Sequence, residues 1–165
     1  MSSTPLTDEQ AARAFGEMLQ TWAADLLVND QMVALEGTNE PDGRGQLQWL
    51  LRFAGEEKQF IALWLSVRQR TVYVESEIMP APEENTEEVL RFALTKNAEL
   101  YPLHIAIGPD SGLYLVTRFP VGEGSPELLD ELCGATLRYV DELFPTMMAR
   151  GFASVYRRRS RRASH

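Results

Sequence analysis

LQWLLRFAGEEKQFIALWLSVRQRTVYVESEI, residues 47–78, is the stretch on which the fold turns. LQWLLRF (47–53) and RTVYVESEI (70–78) alternate apolar and polar residues, the period of a half-buried strand. KQFIALWLSV (58–67), between them, is nearly continuous in apolar residues. The connections Gly55-Glu56-Glu57 and Arg68-Gln69 are short, so the three runs read as an antiparallel meander.

Upstream, Thr7 followed by Gln10 has the pattern of a capping box, and Phe15, Met18, Leu19, Trp22 and Leu26 recur at helical spacing. A first helix over 7–28 follows, behind a flexible lead at 1–6. The pattern breaks between Asn29 and Gly45, where TNEPDGRG (38–45) is rich in turn formers and Met32 to Leu35 offers a short strand or a helical turn. Downstream, PAPEE ends the sheet run, and Asn85 with Glu88 repeats the capping-box pattern, predicting a helix through Leu100. LHIAIG and LYLVTRF then flank the turn Pro109 to Gly112 as a second hairpin. Ser125-Pro126 starts a last helix, which Pro145 should kink or restart and Gly151 should end. The order is α-β-β-β-α-β-β-α, an α+β domain at 7–152 with a five-stranded antiparallel sheet packed with helices, followed by a basic tail at 153–165.

With 165 residues, 44% of them hydrophobic and 24% charged, the chain can bury a core without metal or disulfide support. The one cysteine, Cys133, has no internal partner, which suits a reducing compartment. MSSTPLTDEQ has neither the basic start nor the apolar stretch of a secretory signal, and the best apolar run, Phe60 to Leu65, is strand-sized. A cytoplasmic protein with no membrane contact is expected. The net charge of −8 is unevenly spread: Arg157, Arg158, Arg159, Arg161 and Arg162 lie in the last nine residues, which hold no acid. Without them 11 Lys and Arg face 24 Asp and Glu, leaving a body near −13. Such a body repels phosphate backbones and argues against nucleic acid as a partner. The tail itself reads as a disordered solubilising end that folds back weakly on the acidic body, or as a contact for an acidic partner, membrane headgroups or nucleic acid, with Ser160 open to modification.

Strand parity assigns residues to the two faces of the sheet. The helix-covered set is Leu47, Trp49, Leu51, Phe53, Ile61, Leu63, Leu65, Val67, Val72, Val74, Ile78, Leu103, Ile105, Ile107, Leu113 and Leu115. The opposite face carries polar Gln48, Arg52, Glu75, Glu77 and Arg118, but also His104 and the apolar set Leu50, Phe60, Trp64, Tyr73, Tyr114 and Val116. Bulky groups on a face that ought to be wet predict a partner site, a homodimer contact, or burial under a helix crossing that face. A client could also add to an exposed sheet edge. Trp22 and Trp49 read as core.

Chemistry is sparse. His104 has no acid or cysteine at metal-ligand spacing, and His165 is terminal. Cys133 lies in a predicted helix without a neighbouring base, so it reads as a small packed hydrophobe. Gly43-Arg44-Gly45 precedes no capped helix, and Gly122-Glu123-Gly124 carries an acid where a phosphate would sit. The acidic pairs Glu56-Glu57, Glu83-Glu84 and Glu87-Glu88 fall in turns or a helix start. The expectation is a protein that is not an enzyme and holds neither metal nor cofactor.

VLRFALTKNAELYPLHIAIGPDSGLYLVTRFPV (89–121), followed by the capped helix SPELLDELCGATLRYVDELFP (125–145), resembles the YbjN family, which shares the fold of type III secretion chaperones of the CesT kind. The shared features are a helix ending near Asn97, a hairpin with a DxG turn, a strand ending in proline, and the long final helix. The resemblance implies a peptide-binding, chaperone-like or regulatory protein, often dimeric, without cofactor or catalytic residues. It carries over no binding motif. The loop at 37–45 and the arginine tail depart from the family pattern.

Overall fold

The computed structural model describes residues 4–37 and 46–164, except for the side chain of Ser160. The loop expected at 38–45, the start of the lead at 1–3, and His165 lie outside the described residues. Helix α1 (Asp8–Val28) begins as its sequence dictates: the Thr7 hydroxyl accepts from the Gln10 amide, and the Gln10 side chain accepts from the Thr7 amide. Strands β1 (Ala34–Gly37), β2 (Leu47–Ala54), β3 (Phe60–Arg68) and β4 (Thr71–Met79) follow. Then come α2 (Thr86–Asn97), β5 (His104–Ile107), β6 (Leu113–Pro120), a 3-10 turn at Val121–Glu123, α3 (Pro126–Gly151) and α4 (Ala153–Ala163).

The sheet has six antiparallel strands in the order β1-β2-β3-β4-β6-β5, not the five expected. The sixth is β1, whose four residues are too few to show a period. Pairing makes it a strand, with Leu35 opposite Leu51 and Gly37 opposite Trp49. At the other end, α2 carries the chain past β4 to the far edge, and β6 returns between β4 and β5.

The helices cover one face, and the parity reading holds there. Leu47, Trp49, Leu51, Phe53, Ile61, Leu63, Leu65, Val67, Val72, Val74, Ile78, Leu103, Ile105, Leu113 and Leu115 are all buried. Phe15 of α1 meets Trp49 edge-on at 5.7 Å between centroids and Phe119 at 6.0 Å, which docks α1 on the sheet. Trp49 is core as expected, whereas Trp22 is only half-buried. Ile107 breaks the pattern at 59% exposure, at the end of the edge strand β5 where the hairpin turn begins at Gly108.

Two terminal details, at Asn85 and in the tail, differ from the sequence reading, and α3 ends at Gly151 as expected without restarting at Pro145. Asn85 stands before α2 in a left-handed conformation, and its side chain makes no cap; its amide donates to the Arg150 carbonyl instead. Helix α3, started by the Ser125 hydroxyl accepting from the Leu128 amide, runs through Pro145 to Gly151. The tail is helical rather than disordered, as α4 shows. The Gly151 carbonyl accepts from the Glu83 and Glu84 amides, and the Glu84 carboxylate accepts from the Ser154 amide at the start of α4. The 83–85 loop thus ends one helix and begins the next.

Candidate partner-binding surface

Register places the outer face residue by residue. Glu36, Leu50, Trp64, Glu75, Val116 and His104 pair in turn and form one row across all six strands. A second row runs through Gln48, Ser66, Tyr73 and Arg118. Ala54 and Phe60 pair at the hairpin end of β2 and β3. No described helix lies over these residues.

Their accessibility is unequal. Phe60 is 54% exposed and Trp64 is 39% exposed, so these two rings stand in solvent. Tyr73 and Val116 are half-buried. The Arg68 guanidinium lies 4.0 Å from the Tyr73 ring centroid, covering one side of it. Tyr114 is half-buried and turned into a local network: its hydroxyl lies 2.7 Å from Asp110 Oδ2 and 3.3 Å from Glu77 Oε2. The two carboxylates and burial raise the Tyr114 pKa, while the donated hydrogen bonds of Tyr114 and of the Gly112 amide lower that of Asp110. Leu50 lies on the outer face as its parity requires but is 6% exposed, between Glu36 of the added strand β1 and Trp64. It is therefore removed from the accessible set.

The β5 edge of the sheet is less open than the face. The Ile105 amide in β5 donates to Asn97 Oδ1 at 2.7 Å, and Asn97 Nδ2 donates to the Ile105 carbonyl at 3.0 Å. The side chain ending α2 therefore occupies the backbone groups at the middle of that edge, where an added strand would pair.

Chemistry remains thin at atomic detail. Among the described residues no group of three or more His, Cys, Asp and Glu side chains gathers as a metal site would. His104 is exposed on the outer row. Cys133 is buried, and burial pushes its thiol up to about 12, leaving it protonated at neutral pH. No described helix is long and apolar enough to cross a membrane. Arg157, Arg158, Arg159, Arg161 and Arg162 are exposed along α4.

The family model YbjN, described as "Putative bacterial sensory transduction regulator", matches residues 17–148. This is the family whose resemblance the 89–145 stretch carries. An uncharacterized protein of Mycobacterium tuberculosis is 31% identical over 109 residues, 66% of this chain and 60% of that protein. One of Mycobacterium leprae is 29% identical over 119 residues, 72% of this chain and 64% of its own length. The matched region therefore spans less than two thirds of these relatives. Among solved structures the chain is similar to one in the HopA1–SchA chaperone–effector complex, with a TM-score of 0.52 at 14% identity, covering 86% of this chain and 99% of that one. A chain of the ExsC–ExsE complex gives a TM-score of 0.51 at 10% identity, covering 79% and 94%. At such identities the likeness is one of fold: a secretion-chaperone-like α+β architecture.

Proposed function

The chain belongs to the YbjN family, and on that footing we propose that it is a non-catalytic, cytoplasmic adaptor that holds an apolar segment of another polypeptide on the uncovered face of its sheet. The observation that carries this reading is the exposure of Phe60 and Trp64 on a face that no described helix crosses. Aromatic rings of this size supply large contact areas with little side-chain entropy to lose, and rings flanked by polar groups are typical anchors of partner sites. The two lie four positions apart along β3, about 13 Å, so a client offering two apolar groups at that spacing fits best. Tyr73, diagonal to Trp64 on the neighbouring strand, widens the apolar strip, exposed Glu75 stands between Trp64 and Val116 in the row, and Arg52 and Arg118 flank it. The fold shared with a chain of a chaperone–effector complex supports the architecture on which the reading rests, while the client is argued from this face alone. The regulatory role carried by the family description draws on a different surface, the arginines of α4.

Trp64→Asp places a charge at the centre of the strip without touching the core. The substituted protein is expected to retain its circular dichroism and melting temperature and to lose client capture from native cytosol at least about tenfold. A folded variant that captures the same clients as strongly as the unsubstituted chain removes the reading.

A further inference from the structure

A groove runs between α1 and the first turns of α3, with a volume of about 620 Å³. Met18, Trp22 and Leu26 form its apolar floor, and Glu17, Asp25 and Asp130 stand along it. Glu17 and Asp25 lie two turns apart on one helix face, and Asp130 is fixed opposite them by the Trp22 indole, which donates to its Oδ1 at 2.8 Å. Among the described residues, none of these three carboxylates is in an ion pair.

Helix α4 is the counterpart in charge. Its five arginines are exposed and in no ion pair among the described residues, Arg157 and Arg158 adding only a longer-range attraction to Glu84 behind its hydrogen bond to Ser154, and the sequence from Phe152 to His165 contains no acid. Helical spacing puts Val155, Arg158 or Arg159, and Arg162 on one face, an apolar group followed by cations. That sequence of groups matches an apolar floor flanked by carboxylates, and the arginine stems add apolar surface of their own.

The two surfaces of one chain are too far apart to meet. Asp130 and Gly151 lie 21 positions apart along helix α3, about 31 Å at the α-helical rise. Helix α4 has 11 residues, about 16 Å, and it is anchored at its start by Glu84. We infer that the groove between α1 and α3 receives helix α4 of a second copy of this chain, so that self-association proceeds by exchange of the arginine helix. Neither surface shares a residue with the outer sheet face, and the inference does not depend on the client-binding role.

The experiment is sedimentation equilibrium of the full chain at low and high salt, with charge reversals on each side. The unsubstituted chain is expected to self-associate at low salt and to dissociate as salt rises, because these charges lie in solvent and are screened. Arg158→Glu with Arg162→Glu, or Glu17→Lys with Asp25→Lys, should each weaken association about tenfold or more. All four reversals in one chain should restore it, an outcome that misfolding would not produce. The inference is overturned by a chain that stays monomeric, including one that uses α4 only on an added acidic peptide. It is equally overturned by an oligomer that neither pair of reversals weakens, or by one that the combined reversal fails to restore.

Discussion

Tyr114 shows how a residue can lie on the face that parity assigns it and still be committed to local contacts. Its ring faces the outer surface, but its hydroxyl is spent on Asp110 and Glu77, so it braces the β5–β6 hairpin more than it offers contact area. The turn is further held by the Gly112 amide, which donates to Asp110 Oδ1 at 2.9 Å. Donors on both sides favour the ionised carboxyl, and the Asp110 pKa is accordingly lowered. A carboxyl whose folded pKa lies below its unfolded value contributes stability that is fully present above the unfolded value, about 4 for aspartate. The contribution disappears as pH falls through the lowered value. Tyr114→Phe removes the larger cause of the shift, so its destabilisation should be greatest near neutrality and should shrink below about pH 4, as urea unfolding at several pH values will read. A destabilisation equally large at pH 2 and pH 7 would refute this account.

The elements themselves were largely legible, because their signals are local. Thr7 with Gln10 and Ser125 with Pro126 started helices where the sequence placed them, and strand parity identified the buried face of the sheet apart from Ile107. What escaped reading depends on residues far apart in sequence. Asn85 has the same capping pattern as Thr7, yet its amide is drawn to Arg150, 65 positions away. Trp22 reads as core by spacing and does pack against the core, but its indole N–H reaches a groove, where Asp130 holds it. Leu50 is shielded beside a strand, β1, that has no periodic signature of its own. The tail reads as disordered on composition, but a carboxylate from another loop caps α4. Asn97 belongs with these long-range devices, since its position at the end of α2 gives no hint that it closes the β5 edge. Asn97→Leu leaves the Ile105 amide and carbonyl without protein partners, at a cost of about 1–2 kcal/mol. It also exposes a strand edge, so concentration-dependent aggregation should accompany the loss of stability. Light scattering and chemical denaturation check the two effects, and an Asn97→Leu protein as stable and monodisperse as its parent would contradict the assignment.

At the scale of the whole molecule, the sheet separates two kinds of surface. The outer face presents apolar rings among charged groups, and the helices present an acid-lined groove together with a cationic helix. The forces differ accordingly: contact at the rings is governed by burial of apolar area and varies little with salt, whereas contact through α4 is electrostatic and screened. Sites with no shared residues and a closed core between them should behave independently, so perturbations on the two sides should add. Deleting residues 157–165 leaves the anchored start of α4 in place and takes the net charge from −8 to about −13. The truncated chain should therefore keep its melting temperature and its client capture while losing salt-sensitive self-association. Trp64→Asp should do the reverse, abolishing capture with association unchanged, and the combined variant should lose both. Measuring capture and solution mass on the same four proteins separates this arrangement from a dimer closed by the sheet face. In that dimer Trp64→Asp alone would yield monomers, and the two surfaces would no longer be independent.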